Sequence, residues 1–297
     1  MNDQATKLRE LINAKKIFDV NKKNQVNINT DQARTICITS GKGGVGKTNF
    51  TVNLAIALSK YNLKVVILDA DLGLANVDVT LGILSKYNLL DLITNNMSVL
   101  DIMTDGPNGI KIISGGSGIL ELVNLNQHDV NNLISKIEII NDYADVILID
   151  TGAGLSNSVI SFALAAEEII VIATPEPPSI TDAYAMIKTI KKRDKNKRIR
   201  IVINRADSES EGKIAFNKLK YASERFLNTS IEKLGIMRED PIVSRSIKLQ
   251  QPLILQYPNS LISKNIECIA SKLLNKSSIN YEKDRENFFA RVVKLFK

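Results

Sequence analysis

The sequence predicts an α/β fold in which a doubly wound, mostly parallel sheet carries helices on both faces. Two observations support this fold class. Apolar, strand-like runs alternate with amphipathic helical stretches along most of the chain, which is the pattern of βαβ units. The composition, 44% hydrophobic and 24% charged over 297 residues, is typical of a globular protein with a sizeable core and excludes a largely disordered chain.

All the predicted strands fall in the central region, residues 34–275, which we expect to be one domain. The strands are the apolar runs Thr35–Thr39, Lys64–Asp69, Gly109–Ile113, Val146–Asp150, Ile169–Ala173, Ile199–Asn204 and Glu232–Ile236. Apolar residues at helical spacing predict the helices Asn49–Lys60, Asp129–Asn141, Thr181–Lys192, Lys213–Phe226 and Ser260–Leu274.

The two ends of the chain differ in composition from this domain. Residues 1–33 are predicted to be a short helix followed by an Asn- and Lys-rich linker, and residues 276–297 a polar linker followed by an amphipathic helix. No apolar stretch reaches the ~20 residues of a membrane-spanning helix, and charges near the N-terminus exclude a secretory signal. Two widely separated cysteines favour a reducing compartment. We therefore expect a cytoplasmic protein.

A glycine-rich loop follows the first predicted strand and precedes a predicted helix. It reads Ser-Gly-Lys-Gly-Gly-Val-Gly-Lys-Thr and satisfies the P-loop pattern Gly-x-x-x-x-Gly-Lys-Ser/Thr. Its backbone N–H groups and the helix N-terminus can hold phosphates, with Lys47 at the β- and γ-phosphates and the Thr48 hydroxyl on Mg²⁺. The predicted nucleotide-binding residues here are Gly41, Lys42, Gly43, Gly44, Val45, Gly46, Lys47, Thr48 and Asn49.

Three aspartates lie at the predicted carboxyl ends of strands, where open α/β sheets place ligand-binding groups. Asp69 and Asp71 follow the second strand, and Asp150 ends the run Val146–Asp150. Such carboxylates suit a Mg²⁺ shell and the orientation of an attacking water. We expect Asp69 and Asp150 to join Thr48 at the metal, and the N–H of Gly152 to sense the γ-phosphate.

Asn204 and Arg205 follow another strand and are candidates for recognition of the base. A carboxamide offers one donor and one acceptor, which match the 6-amino group and a neighbouring ring nitrogen of adenine. Guanine is the alternative, because Asn-Arg-Ala-Asp at this position partly matches the Asn-Lys-x-Asp motif of GTP-binding proteins. The central lysine of that motif is missing, which favours ATP.

The additional Lys42 makes the phosphate loop resemble the deviant Walker A loop of the MinD/ParA ATPases, members of the SIMIBI class. The resemblance extends over residues 34–274 and includes the aspartates and Asn204. It implies an ATP-dependent homodimer in which Lys42 reaches the partner's phosphates, while Lys47 and Asp71 complete the catalytic set and Asp71 orients water.

The same resemblance implies that Asp240 contacts adenine, although Arg238 replaces the proline usual in that turn. Iron–sulfur reductases and carriers on this fold need closely grouped or interface cysteines. Cys37 and Cys268 fit neither pattern. Within the family, a division-site ATPase like MinD and a DNA-partition ATPase like ParA are the alternatives that remain open.

The N-terminal run Asp-Gln-Ala-Thr-Lys-Leu-Arg, residues 3–9, resembles the Asp-Gln-Ala-x-x-Leu-Arg element of the flagellar-number ATPases called FlhG or FleN. The run Leu-Gly-Leu-Ala-Asn-Val-Asp, residues 72–78, also looks like that group. The resemblance implies control of flagellar number or placement, stimulation of the GTPase FlhF, and contact with the flagellar C-ring. The residues implied in FlhF binding are Asp3, Gln4, Ala5, Leu8 and Arg9.

The C-terminal segment, residues 285–297, has the pattern of an amphipathic helix. Its apolar face carries Phe288, Phe289, Val292, Val293, Leu295 and Phe296. With basic flanks, this pattern favours an anionic membrane surface and predicts peripheral association with the inner face of the cell membrane. A helix docked on its own core or in a dimer seam is the alternative. DNA binding is not expected, because the basic run Lys188–Arg200 has no aromatic or helix-turn-helix companion.

Overall fold

Apolar runs along the chain form an eight-stranded sheet within the residues that the computed structural model describes, which are 33–71, 76–115, 127–275 and 288–296. Side chains at 127–134, 275, 289, 293 and 296 are also outside the description. The strands are β1 (Arg34–Ser40), β2 (Val65–Ala70), β3 (Thr104–Asp105), β4 (Lys111–Ser114), β5 (Val146–Ala153), β6 (Glu168–Ala173), β7 (Arg198–Ala206) and β8 (Glu232–Arg238). Their order is β3-β4-β2-β5-β1-β6-β7-β8, and all neighbours are parallel except β3 and β4.

Helices connect these strands and follow the last one. They are α1 (Lys47–Ser59), α2 (Asn76–Leu81), α3 (Asp91–Thr94), α4 (Val99–Ile102), α5 (Gln127–Tyr143), α6 (Asn157–Ala165), α7 (Pro177–Arg193), α8 (Glu209–Leu227), α9 (Pro241–Lys248), α10 (Leu253–Gln256), α11 (Leu261–Asn275) and α12 (Phe288–Phe296). None of the described helices is long and apolar enough to span a bilayer.

Each face of the sheet is covered by its own set of helices. Apolar side chains of α1, α10 and α11 pack on one face, against residues such as Ile36 and Ile38 of β1. Those of α5 to α8 and α12 pack on the other, against residues such as Ile147 and Ile169. Burial on both faces explains why the strands are nearly continuous apolar runs. The predicted doubly wound α/β fold is confirmed.

The strand order reverses beside β1, which has β5 on one side and β6 on the other. The connection after β1 leads to β2, on the β5 side, whereas the connection after β6 leads to β7, on the other side. In open parallel sheets the crevice at such a reversal is where ligands bind, outside the carboxyl ends of the strands. The glycine-rich loop of residues 40–48 begins at that point, directly after β1.

The opposite, amino edge of the sheet carries an ion-pair group that we call the amino-edge cluster: Arg34, Glu168, Arg198, Arg200 and Glu232. Each stands at or near the start of its strand. The Arg34 guanidinium donates to Glu168 Oε1 through Nε (2.8 Å) and Nη2. The fully buried Arg200 lies with Nη1 3.2 Å from Glu168 Oε2 and Nε 3.5 Å from Glu232 Oε2.

Arg34 also ties the start of the sheet to the end of α11. Its Nη1 donates to the Leu273 carbonyl (2.8 Å) in the last turn of that helix. The last carbonyls of a helix have no hydrogen-bond partner within the helix, and the helix dipole makes this end partly negative. A guanidinium here both donates to a free carbonyl and places a positive charge at the negative end.

All seven predicted strands are present, with ends that shift by up to three residues. The strand expected from Gly109 begins at Lys111 instead, because Pro107–Gly109 forms a 3₁₀ turn. The antiparallel pairing of β3 was not predicted, since two residues carry no periodic pattern. Helix α6 was also missed, because it is uncharged and buried on most sides, so it has no amphipathic signature. The predicted N-terminal helix and both linkers lie outside the described residues.

The C-terminal segment is helical, as predicted, and α12 packs against α5 and α6. Phe288 and Val292 are only 3% and 7% exposed and belong to the core beneath it, whereas Leu295 is 39% exposed. The Ser161 hydroxyl donates to the Leu295 carbonyl (3.1 Å). The structure therefore shows the docked alternative for this helix, and the side chains of Phe289, Val293 and Phe296 are outside the description.

Candidate functional site

The phosphate loop is held in its shape by glycines. Gly44 and Gly46 have φ angles of +75° and +90°, in the left-handed region that side chains other than glycine rarely adopt. Gly41 lies so close to the backbone of Asp182 in α7 that a Cβ atom there would overlap it. This backbone leaves the N–H groups of the loop at the N-terminus of α1, which is the arrangement that binds phosphate.

Lys47 and Thr48, the first residues of α1, converge on Asp150 at the end of β5. The Thr48 hydroxyl donates to Asp150 Oδ2 (2.6 Å), and Lys47 Nζ lies 3.9 Å from Oδ1. The Thr51 hydroxyl, one turn further along α1, donates to Oδ1 (3.0 Å). Asp150 is fully buried and thus links the loop to the neighbouring strand.

Asp69 and Asp71 lie on the adjacent strand β2 and just beyond it, and they face helix α2. Asp69 is opposite Asp150 in the register of the sheet. Its carboxylate accepts from the backbone N–H groups of Asp71 and Val77 (both 3.1 Å). Asp71 Oδ2 accepts from the amide of Asn76, the first residue of α2 (2.7 Å).

Burial and mutual repulsion raise the pKa values of two of these carboxyls. Burial is the main cause that raises the pKa of Asp69 to about 7, and the charge of Asp150 adds to it. Burial also raises the pKa of Asp150, although Lys47, Thr48 and Thr51 act in the opposite direction. Lys47 pairs with Asp150 but forms no ion pair with Asp69, so a divalent cation bound here would favour the ionised forms of both carboxyls.

The residues present fit Mg²⁺ bound together with a nucleotide. Among the described residues, no three His, Cys, Asp or Glu side chains are grouped closely enough to hold a metal ion on their own. Mg²⁺ is commonly held by one or two carboxylates together with substrate phosphates and water. The oxygen donors of Thr48, Asp69 and Asp150 suit that kind of shell.

Gly152, the predicted switch residue, lies beside Asp71. A Cβ atom built on Gly152 would be 3.3 Å from Asp71 Oδ1, so a side chain here would press against the carboxylate. The absence of a side chain at Gly152 therefore lets Asp71 lie close to the end of β5. Whether the Gly152 N–H senses a γ-phosphate stays a prediction.

Asn204 lies at the end of β7 against the phosphate loop. Its amide nitrogen donates to the Val45 carbonyl (2.8 Å) and would be 2.5 Å from a Cβ atom on Gly46. Because a carbonyl can only accept, the nitrogen of Asn204 must face Val45. The carboxamide oxygen is therefore the part of Asn204 that can meet a base, and it accepts hydrogen bonds.

The other two residues predicted at the base occupy neighbouring strand ends. Arg205 is exposed, has a φ of +57°, and its Nε lies 3.9 Å from Glu239 Oε2. Asp240 caps α9, accepting from the Ile242 N–H with Oδ1 (3.0 Å). Asn204, Arg205 and Asp240 thus lie at the carboxyl ends of β7 and β8, on the same edge as the phosphate loop.

Lys42 has a partner within its own chain. Its Nζ lies 3.0 Å from Oε2 of Glu176, which directly precedes α7, and both side chains are exposed. This contact was not predicted from the sequence, because 134 residues separate the two side chains. The only local signal was the position of Glu176 after a predicted strand.

Three further residues of the site were not predicted from the sequence, and the predicted partner-binding residues lie outside the part of the chain that the structure describes. Thr51 and Asn76 bond to the predicted aspartates, and Asp182 packs on Gly41. Asn76 belongs to the run of residues 72–78 that resembles the flagellar-number ATPases, and this resemblance was the sequence feature that could have identified it. The predicted FlhF-binding residues Asp3, Gln4, Ala5, Leu8 and Arg9 lie outside the described residues.

Comparisons with known proteins agree with this geometry. Residues 31–274 match the ParA family, described as NUBPL iron-transfer P-loop NTPase. The antiactivator FleN of Pseudomonas aeruginosa is 40% identical over 240 residues, which cover 81% of this chain and 86% of FleN. The flagellum site-determining protein YlxH of Helicobacter pylori is 33% identical over 301 residues, covering 99% of each chain.

A solved structure gives the same result for the fold. The septum site-determining protein MinD of Pyrococcus horikoshii, complexed with Mg-ADP, superposes with a TM-score of 0.65 at 25% identity, covering 81% of this chain and 96% of that one. The phosphate loop with its additional Lys42, the carboxylates on neighbouring strands and these similarities lead to one conclusion. The chain belongs to the MinD/ParA family of P-loop ATPases, within its FlhG/FleN group.

Proposed function

We propose that this protein is a Mg²⁺-dependent ATPase that acts as a dimerising switch in the control of flagellar number or placement. The observation that carries the proposal is the complete phosphate site with Lys42 exposed beside it, in a chain similar to FleN and YlxH. We expect the protein in the cytoplasm and at the inner face of the cell membrane, with the flagellar C-ring among its partners.

The chain's own groups account for selection of ATP. The amides of the phosphate loop and Lys47 would bind the phosphates, and Thr48, Asp69 and Asp150 would hold Mg²⁺, which would neutralise charge on the phosphates. The oxygen of Asn204 accepts a hydrogen bond from the 6-amino group of adenine. Guanine presents a carbonyl oxygen at that position, so two acceptors would face each other.

Dimerisation requires Lys42 to change partners. In this single chain its ammonium group is held by Glu176. An exposed ion pair of this kind contributes only about 0–1 kcal/mol, so the cost of breaking it is small against the gain from binding a second subunit's phosphates. The Lys42–Glu176 pair therefore keeps Lys42 ordered in the monomer without preventing its transfer.

Hydrolysis requires Asp71 to accept a hydrogen bond from the attacking water. Its carboxylate is kept close to the site by the Asn76 amide and by contact with Gly152. We expect Asp71→Ala to bind ATP but to hydrolyse it at least about 100-fold more slowly, and to accumulate as a dimer. Normal hydrolysis by this variant would contradict the role given to Asp71.

Membrane binding requires α12 to leave its position on α5 and α6, because Phe288 and Val292 are buried there. Two copies in an ATP-bound dimer would bind by avidity, since one short helix binds lipid weakly. We expect co-sedimentation with anionic liposomes in ATP but not in ADP. Equal binding after removal of residues 284–297 would contradict this part of the proposal.

The N-terminal element supplies the experiment that tests the flagellar role. The GTPase rate of FlhF from the same organism is measured with this protein, with Gln4→Ala and with Gln32→Ala. Gln32 is a matched control, because Asp31-Gln32-Ala33 repeats the first three residues of the element without Leu-Arg. We expect stimulation by the wild type and by Gln32→Ala, and its loss in Gln4→Ala.

Each other outcome points elsewhere. No stimulation by any of the three proteins would leave the ATPase intact and favour division-site placement or DNA partition. Equal stimulation by all three would show that FlhF is contacted through another surface. ATP binding, followed with a fluorescent nucleotide in the same preparations, shows whether each variant is folded and loaded.

A further inference from the structure

An acidic surface lies near the amino edge of the sheet, outside the residues that bind nucleotide. Helix α4 packs against α5, and the exposed side chains of these two helices include two large apolar ones, Leu100 (52% exposed) and Ile139 (42%). Exposed carboxylates adjoin them in sequence: Asp101 on α4, and Glu138 and Asp142 on α5. We define these five residues as the α4/α5 patch.

The two segments that form this patch carry more acidic than basic residues. The acidic residues of 91–103 and 135–143 are Asp91, Asp101, Glu138 and Asp142. The basic residue of these two segments is Lys136, whose Nζ already donates to the Leu92 carbonyl and to Asn96 Oδ1 (both 2.6 Å). An apolar centre with exposed carboxylates is complementary to an amphipathic helix whose apolar face has basic flanks.

Two lysines beyond the end of α5 have other contacts and do not neutralise this charge. Lys64 Nζ lies over an aromatic ring of α5, 5.5 Å from its centre, and Lys111 pairs with Asp105. Neither Glu138 nor Asp142 forms an ion pair with another side chain in the described part of the protein. The negative charge of the patch is therefore available to a further segment.

The N-terminal segment of this chain has the matching sequence pattern. At about 100° per residue, Leu8, Leu11 and Ile12 fall on one face of the helix predicted for residues 1–16. Basic residues fall along or beside that face, and the acidic residues fall away from it. The basic set is Lys7, Arg9, Lys15 and Lys16, and the acidic set is Asp3 and Glu10.

The chain connection brings this segment close to the patch. The Arg34 N–H donates to the Asp145 carbonyl (3.0 Å), so β1 begins beside the end of α5. Ile139 precedes Asp145 by only six residues, ~9 Å along a helix. Residues 17–32 would span roughly 20–24 Å as a chain without regular structure, and such a connection gives an effective concentration on the order of 1 mM. A weak contact is then sufficient for docking.

Other occupants fit this surface less well. The carboxylates would repel anionic lipid and nucleic acid, and a second copy would bring the same acidic patch against it. Helix α12 carries basic residues, but Phe288 and Val292 are already buried where it packs on α5 and α6.

We propose that residues 1–16 dock on the α4/α5 patch, and that this docking prevents the Asp-Gln-Ala-x-x-Leu-Arg element from contacting FlhF. Leu8 belongs both to the docking face and to that element, so the segment cannot make the two contacts at once. The effect on FlhF rests on the proposed function, whereas the docking does not.

Hydrogen exchange of the full chain, followed by mass spectrometry, tests the docking. An isolated helix this short is marginal in water, so slow exchange in residues 6–16 requires a contact. The patch variants are Ile139→Asp and the double charge reversal Glu138→Lys with Asp142→Lys. The matched controls are Ile214→Asp and Glu224→Lys, both at exposed positions of α8. Amides of β1 and β5 show in the same spectra whether each variant is folded.

We expect exchange in residues 6–16 to be at least about tenfold faster in both patch variants than in the wild type and in the two controls. Equal exchange in the wild type and the patch variants would overturn the docking. An equal acceleration in the controls would overturn it as well, because those substitutions leave the patch unchanged.

Stimulation of FlhF by the same proteins, at a concentration below saturation, tests the effect of the docking. We expect the patch variants to stimulate at least about twofold more than the wild type, because a larger fraction of the chain presents the element. Unchanged stimulation despite faster exchange would overturn this effect. Absence of stimulation by every protein would contradict the proposed function, and the exchange rates would still decide the docking.

Discussion

The two edges of the sheet both concentrate charge, but they satisfy it in different ways. At the carboxyl edge, Lys47 is the one lysine of the described residues that pairs with Asp69, Asp71 or Asp150, and the pKa values of Asp69 and Asp150 are raised. At the amino edge, three arginines and two glutamates form the amino-edge cluster, and its ion pairs close within the chain. At one edge a bound cation would offset the carboxylates, whereas at the other the opposite charges of the chain lie within ion-pair distance of each other, although the Arg200 guanidinium makes no hydrogen bond there.

This difference separates function from stability. A buried charge that lacks a partner is costly, and ligand binding can recover that cost only where the ligand reaches it. The carboxylates at the phosphate loop are placed where a nucleotide with its cation can reach them. The amino-edge cluster is at the opposite ends of the strands, so its charges act on folding alone.

The largest expected effect is the loss of the buried glutamate at the amino edge. Glu168→Gln leaves Arg34 and the fully buried Arg200 without their main anionic partner. Breaking a buried ion pair on one side costs about 3–5 kcal/mol, so we expect the free energy of unfolding in urea to fall by that amount.

The matched variant is Glu232→Gln, whose side chain is 42% exposed and should cost only about 0–1 kcal/mol. Nucleotide affinity of the folded Glu168→Gln protein should change less than about twofold. A large loss of affinity with unchanged stability would show that the two edges are coupled.

At the carboxyl edge, Lys47→Ala removes the lysine that pairs with Asp150. We expect nucleotide affinity to fall by at least about 100-fold, because the phosphate charge and Asp150 both lose their cation. Titration with a fluorescent ATP analogue measures the change. Lys60→Ala, at the other end of α1 and paired with Glu267, is the control and should bind nucleotide like the wild type.

The raised pKa of Asp69 predicts a specific dependence of stability on pH. The folded chain holds this proton up to a pH of about 7, whereas the unfolded chain releases it near pH 4. Its stabilising contribution is therefore fully present below pH 4 and is lost as pH rises to 7. Asp69→Asn does not have this loss. Between pH 4 and 8 its free energy of unfolding should therefore rise by about 2–4 kcal/mol relative to that of the wild type.

Urea unfolding without nucleotide measures this difference. Asp142→Asn, at an exposed position of α5, removes the same charge and should show no such gain. A constant difference between Asp69→Asn and the wild type across this pH range would show that Asp69 is ionised in the folded protein.

A smaller effect is expected where the site contacts the base. Asn204→Ala removes the acceptor that faces adenine and should reduce the preference for ATP over GTP about tenfold, measured by competition for a labelled nucleotide. Asn265→Ala is matched, because Asn265 also donates to a carbonyl, that of Ile236, but on α11. Tighter binding of GTP than of ATP by the wild type would contradict the proposal that ATP is the bound nucleotide.

Local sequence signals predicted the parts of the molecule that depend on near neighbours. The seven parallel strands are apolar runs, and the phosphate loop is a contiguous motif between a strand and a helix. Contacts between distant residues carry no such signal: Lys42 and Glu176 are 134 residues apart, as are Arg34 and Glu168. The amino-edge cluster was missed for this reason, since each of its charges looks like an ordinary strand end.

Helix α2 illustrates the same limit inside the site. Its residues follow Asp71 closely in sequence, yet six residues are too few to show helical periodicity. Only the fold reveals that the Asn76 amide bonds to the carboxylate of Asp71. Docking of α12 likewise depends on apolar side chains of α5 and α6, and the amphipathic pattern of α12 itself does not indicate that these side chains are its partners.

The hydrogen bond from Arg34 to the Leu273 carbonyl determines where the two terminal segments lie relative to the nucleotide site. It holds the start of β1 and the end of α11 together, so the segments that precede Arg34 and follow Asn275 join the sheet at one place. Seven strand residues, ~23 Å of β1, separate that place from the phosphate loop. A signal that passes along β1 between the nucleotide and either terminal segment therefore crosses the full height of the sheet. Helix α12 offers a second route to the C-terminal segment, because it packs on α6, which begins shortly after the end of β5.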